Sequence, residues 1–163
     1  MITQIVPVGH CLKCKGCCRF KEADSVWVPT LLEEEVLELI DKDLPSAAIS
    51  KGKRLMAIPS EEEGSFICPF LKVQGNACAI YASRPFECQL YPFLITLRNK
   101  KVILTVDLNC PWAQGKMGSK EFKEYTGYLS AHLNTPALLR MLKDNPQVLQ
   151  AYEQVLEIVE LDT

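Results

Sequence analysis

The sequence predicts an α+β fold: a small cysteine-rich domain built from a β-hairpin and short helices, followed by amphipathic C-terminal helices. Three features predict it. Eight cysteines stand between positions 11 and 110, four packed into Cys11-x2-Cys14-x2-Cys17-Cys18 and four strung out as Cys68, Cys78, Cys88 and Cys110. Two β-prone runs, Phe93 to Arg98 and Lys101 to Asp107, flank Asn99-Lys100 and read as a hairpin. After Pro111-Trp112 the cysteines stop and apolar residues recur at helical spacing. The expected division is 1–117 for the cysteine domain and 118–163 for a helical extension packed on it.

In chain order, Ser25 to Val28 is a short β-prone run ending at Pro29. Thr30 and Glu33 form a capping-box pair for a helix through about Ile40. Leu32, Val36, Leu39 and Ile40 give that helix an apolar stripe, with Glu33, Glu34, Glu35 and Glu38 outside. Pro45 and Ser46 restart the chain into a short helix near Ala47 to Lys53, and Pro59 to Ser65 is an exposed acidic loop. Phe66 to Leu71 and Cys78 to Tyr81 are apolar, cysteine-bearing segments around a turn at Gln74-Gly75-Asn76. Arg84-Pro85 opens a short helix reaching Tyr91-Pro92. The hairpin that follows has Cys88 and Cys110 beyond its two ends, which its closure would bring toward one another. Ser119 caps a helix with Phe122, Tyr125, Leu129 and Leu133 on one face. Thr135-Pro136 and Asn145-Pro146 each read as an N-cap followed by proline at the first helical position, and Val148, Tyr152, Val155 and Val159 align on a last helix.

With 163 residues, 48% hydrophobic and 23% charged, the chain has the means for one ordinary core. No apolar run approaches the roughly 18 residues that span a bilayer, and a net charge of −2 offers no basic field for nucleic acid. Neither membrane nor nucleic acid is expected as a partner. The basic run Lys13, Lys15, Arg19 and Lys21 reads as an offset to thiolate charge in preference to a phosphate contact. Met1 to His10 has no basic n-region, apolar h-region or small-residue cleavage site, so a cytoplasmic chain with reduced thiols is expected. That setting favours metal binding over a disulfide framework or inert buried thiols.

The thiolate ligates soft and borderline metals, and Cys-x2-Cys spacing lets successive sulfurs converge on one ion or cluster. Gly16 is expected to take positive φ in this turn. Adjacent side chains diverge, so Cys17 and Cys18 are expected to face different ligand sets, one completed by Cys68, Cys78, Cys88 or Cys110. Cys11, Cys14 and Cys17 have the spacing of the leading ligands of a bacterial-type iron–sulfur run, whose fourth ligand is remote and precedes proline; Cys68-Pro69 and Cys110-Pro111 both offer one. A zinc ribbon would want two Cys-x2-Cys knuckles. Spacing thus points to an iron–sulfur cluster, [4Fe-4S] in particular, with zinc as the alternative. Residues 1 to 24 contain little else that could form a core, so metal is expected to hold them folded.

These residues resemble the CxxCxxCC, or YkgJ-like, cysteine-cluster family of zinc- or iron-chelating domains. The resemblance rests on Cys11-Leu12-Lys13-Cys14-Lys15-Gly16-Cys17-Cys18, Cys68-Pro69-Phe70-Leu71, Cys78-Ala79-Ile80-Tyr81, Arg84-Pro85-Phe86-Glu87-Cys88, Tyr91-Pro92 and Cys110-Pro111. It implies that all eight cysteines serve metal sites, and a kinship with the cysteine domain of flagellin lysine N-methylases. Methyl transfer does not carry over readily, because no glycine-rich loop for a nucleotide-like cofactor is present.

Arg84, between Cys78 and Cys88, is a candidate cofactor-binding residue, able to donate to a metal-bound thiolate or an anionic substrate; the bland alternative is a surface ion pair. Tyr81 and Tyr91 read as core aromatics, and His10 as a bystander beside Cys11. With only His10 and His132 in the chain, histidine base catalysis is poorly supported and no catalytic residue is assigned. Three function classes remain: a metal or iron–sulfur protein for redox or cluster handling, a zinc-stabilised interaction module using the C-terminal helices, and an accessory or enzyme of a methyl-transfer or redox system.

Overall fold

The computed structural model describes residues 2–41 and 48–163. Helices and antiparallel sheets alternate along the chain, an α+β arrangement, and packing separates two compact units, Met1–Gln89 and Leu90–Thr163. Seven of the eight cysteines belong to the first unit and Cys110 to the second. Residue 117, where the sequence suggested a division, lies inside the second unit.

The first unit is organised by very short strands. β1 (Arg19–Phe20), β3 (Phe66–Ile67) and β2 (Ile58–Pro59) form an antiparallel sheet with β3 in the centre. Phe20, Val28, Leu31, Leu39, Leu55, Ala57 and Cys68 make its core, with Cys18, Trp27 and Phe70 packed against it. Helix α1 (Val8–Cys11), which the sequence gave no reason to expect, ends on the first cysteine. Ile2 and Val6 are also buried. The N-terminal region therefore has buried apolar residues of its own, more of a core than its sequence suggested.

Helix α2 (Glu33–Asp41) forms where expected, but its capping residue differs. Glu35, not Glu33, reaches back to the amide of Leu32 at 2.9 Å, while Glu33 pairs with Lys53. Ile40, assigned to the apolar stripe, is exposed. Ser25 to Val28 is a turn and not a strand, closed by the Val28 amide on the Ser25 carbonyl at 3.0 Å. Pro45 and Ser46 lie outside the described residues. From Ile49 an isolated bridge to Leu55 and a turn replace the expected helix. The loop before Phe66 is exposed, as its charge run suggested. Strands β4 (Leu71–Lys72) and β5 (Ala77–Cys78) then form a small hairpin over Gly75 and Asn76, both in left-handed conformation. Helix α3 (Phe86–Leu90) carries the chain into the second unit.

The second unit is a three-stranded antiparallel sheet, β6 (Phe93–Arg98), β7 (Lys101–Asp107) and β8 (Val155–Glu160), with β7 central. The β6–β7 turn uses Asn99 and Lys100 with φ of 53° and 65°, the mirror-image turn that matches strand twist. Helix α4 (Pro111–Lys116) precedes α5 (Lys120–Leu133), capped by the Ser119 hydroxyl on the Phe122 amide at 3.1 Å, and α6 (Pro136–Asp144) begins at proline as expected. The aligned residues from Val148 to Val159 do not form a helix. Pro146–Val148 is a single 3-10 turn, Gln154 takes a φ of 57° that breaks any helix, and the β-branched tail joins the open edge of β7.

Phe20 sits beside the cysteines in the core of the first unit, at 6% exposure, whereas Leu37 is 59% exposed. Phe20→Ala is expected to destabilise by about 3–5 kcal/mol and Leu37→Ala to fall within about 0.5 kcal/mol, as read from denaturant unfolding.

Candidate metal centre

Strand pairing puts the first two thiol-bearing residues opposite one another. Arg19 faces Ile67 and Phe20 faces Phe66; one step further, the Cys68 amide donates to the Cys18 carbonyl at 3.0 Å. Cys68 then enters a turn in which the Leu71 amide donates to its carbonyl at 2.9 Å and the Phe70 amide donates to its sulfur. The next hairpin repeats the device: Leu71 faces Cys78 across β4 and β5, and the Ile80 amide donates to the Cys78 sulfur. Each of these sulfurs takes an N–H from the residue two positions on, which stabilises negative charge on it.

Cys17 joins the group. Its thiol hydrogen-bonds that of Cys18, and it lies within electrostatic reach of Cys68, Cys78, Cys88 and Arg84. Cys17 and Cys18, though adjacent, thus keep their thiols together, and the Cys18 backbone meets that of the distant Cys68. Cys88 is placed by α3, whose start is fixed by an exchange of carboxylates with the start of α2. Glu35 accepts from the Phe86 amide at 2.5 Å, and Glu87 accepts from the Thr30 amide at 2.7 Å.

Cys11 and Cys14 lie on the turn that leaves α1, with the Cys14 amide on the His10 carbonyl at 3.0 Å. This turn is held from outside by Asn76. Its side-chain amide donates to the carbonyls of Cys11 at 3.1 Å, Leu12 at 3.2 Å and Cys14, and its oxygen accepts from Arg19 Nη1 at 2.6 Å. Gly16 is not in the left-handed region, which corrects that expectation; a Cβ there would meet the Cys14 sulfur at 3.4 Å, an ordinary contact. Cys110, buried, is the N-cap residue of α4 in the second unit.

Four of the thiols, those of Cys17, Cys68, Cys78 and Cys88, resist ionising in this arrangement. The bond to Cys18 holds Cys17, which is itself exposed, far above the ordinary thiol range. Burial pushes Cys68 up to about 11, against the pull of the Phe70 amide. Burial likewise raises Cys78, with Ile80 and Arg84 opposing, and raises Cys88 strongly, with Cys68 and Glu87 adding to it. Arg84 hydrogen-bonds the Tyr81 carbonyl at 3.1 Å and the Gln4 side chain at 3.1 Å, and its guanidinium lies 3.9 Å over the Tyr81 ring. These partners are all neutral, so its charge is left to act on Cys17 and Cys78 instead of a surface ion pair. Tyr81 is thus an exposed platform for Arg84 and not a core aromatic, whereas Tyr91 donates to Asp107 at 2.7 Å.

Among the described residues, no three His, Cys, Asp or Glu side chains close tightly enough on one point to hold a metal ion. The thiols are gathered but not closed. Their chemistry fits a soft or borderline metal, whose positive charge would relieve the ionisation cost that burial and mutual repulsion impose.

The CxxCxxCC family pattern, described as "Putative zinc- or iron-chelating domain", matches residues 10–111. The chain belongs to this family. It is similar to the uncharacterized protein MJ0661 of Methanocaldococcus jannaschii, 28% identical over 103 residues that cover 61% of this chain and 52% of the relative. The chain thus spans about half the length of that curated relative. No solved structure matches it. Family membership makes this a metal-binding protein of the zinc- or iron-chelating class, and no helix among the described residues is long and apolar enough to cross a membrane.

Two pH dependences follow. Thiols held neutral must shed protons to ligate, so metal uptake is expected to acidify a weakly buffered solution, and apparent affinity to rise with pH toward the raised thiol range. Burial raises the Glu35 carboxyl above its ordinary range, outweighing the Leu32 and Phe86 amides that lower it. Between the ordinary and the raised value the folded state holds more protons than the unfolded one, so stability is full below that window and falls as pH rises through it. Unfolding of Glu35→Gln followed over mildly acidic pH should lack this slope.

Proposed function

We propose that the protein carries a Cys-ligated iron–sulfur cluster, [4Fe-4S], and serves redox chemistry or cluster and metal handling. The observation that supports a thiolate-held centre is the electrostatic approach of Cys17 to Cys18, Cys68, Cys78 and Cys88, enough thiols for one zinc ion or one [4Fe-4S] cluster, each of which takes four; the cysteine spacing is what favours the cluster. The Cys11, Cys14, Cys17 lead and the remote Cys68-Pro69 support it. When bound, such a cluster supplies one-electron transfer at a potential set by hydrogen bonds to sulfur, charge and exposure.

The chain's own residues have definable parts in this reading. The amides of Phe70 and Ile80 steady the thiolates of Cys68 and Cys78. Arg84 offsets charge at Cys17 and Cys78. Cys11, Cys14 and Cys110 complete the proposed set of eight metal-binding cysteines, twice the four that one such cluster takes, and residues 1–117 act as the cysteine domain, with 118–163 as its extension. A reducing compartment such as the cytoplasm suits such a site. A partner that docks on the C-terminal helices belongs to the alternative, a zinc-stabilised interaction module.

Anaerobic expression with iron and sulfide supplied, followed by metal and labile-sulfide analysis and visible and electron-spin spectra, separates the two. Coloured protein containing iron and labile sulfide is expected. Colourless protein with stoichiometric zinc and no labile sulfide would overturn the cluster reading in favour of zinc.

A further inference from the structure

We infer that Asn76 is a positioning residue that templates the Cys11–Cys14 turn against the Cys78 hairpin before any metal arrives. This inference rests on the metal-binding reading of the site and names a residue outside the cysteine set on which it depends.

One side chain here joins three cysteine-bearing segments. Asn76 is two residues before Cys78, in the turn between β4 and β5. Its amide nitrogen donates to the carbonyls of Cys11, Leu12 and Cys14, and its oxygen accepts from Arg19, the residue after Cys18. A primary amide is the group that can do both, since it offers two donor hydrogens and an acceptor oxygen on one rigid plane. The bonds also orient the turn. Three backbone carbonyls, whose negative ends would oppose thiolates, are turned toward Asn76 and share its two amide hydrogens. A Cys-x2-Cys turn without such a clamp would have to be ordered at the moment of binding, at the expense of affinity.

The φ of 50° at Asn76 separates two roles. If the residue served only to form the turn, glycine would replace it without loss, because glycine takes that conformation at no steric cost. If the amide templates the ligand turn, Asn76→Gly keeps the hairpin and loses the clamp. Asn76→Asp keeps the shape and the Arg19 contact, but sets a carboxylate against three carbonyls.

The test uses the full chain, prepared anaerobically and metal-free, with Co²⁺ as probe and thiolate-to-metal absorption as readout, alongside amide exchange of the metal-free proteins. Wild-type protein is expected to protect the Cys14 amide without metal, and Asn76→Gly to lose that protection while keeping it at Cys68. Both variants should bind Co²⁺ about ten- to a hundredfold more weakly with an altered absorption envelope, Asp more so than Gly. Wild-type affinity, spectrum and Cys14 protection in Asn76→Gly would overturn this inference alone. A wild-type protein that takes up no Co²⁺ and no iron would overturn the metal reading, and this inference with it.

Discussion

The candidate centre depends first on the pairing of β1 with β3. Each strand is two residues long, too little to stand by itself, so the pairing persists because Phe20, Phe66 and their neighbours are drawn into the core of the first unit. Its register sets Cys18 against Cys68 and leaves Cys17 within electrostatic reach of Cys68, Cys78 and Cys88. A slip of one residue would send alternate side chains to the opposite face and scatter the group. The β4–β5 hairpin adds Cys78, and the exchange between Glu35 and Glu87 adds Cys88 through α3.

Gathering thiols creates an electrostatic problem that defines what the site is for. Two unit charges about 6 Å apart at an effective dielectric of 20 repel by about 3 kcal/mol, so several thiolates cannot coexist there without a cation. The polypeptide offers partial relief: N–H groups on Cys68 and Cys78, and an arginine whose own contacts are uncharged. That is too little to ionise the group, as the raised thiols show. The arrangement is therefore one that a thiophilic cation would stabilise strongly.

What the sequence made legible was what local chemistry determines. The β6–β7 hairpin and the Ser119 cap formed at the expected residues, because turn residues and capping hydroxyls act on their immediate neighbours. The cysteine pattern was enough to identify the family, and it foretold the meeting of the N-terminal cysteines with distant ones. Non-local contacts were what the sequence hid. Val155 to Glu160 has apolar residues that suit a helix or a strand, and the open edge of β7 decided between them. The Thr30–Glu33 pair matched a capping box, yet Glu35 took the role because Phe86 offers it a second amide. The Gly75-Asn76 turn was visible, but not that its asparagine would reach Cys11 and Cys14. No local signal could have supplied that.

The claim beneath all of this is that thiols of the first unit bind metal through sulfur alone. X-ray absorption at the edge of the metal held by anaerobically prepared protein measures this directly. The account predicts a first shell of sulfur alone at about 2.3 Å. A shell dominated by nitrogen or oxygen would contradict it.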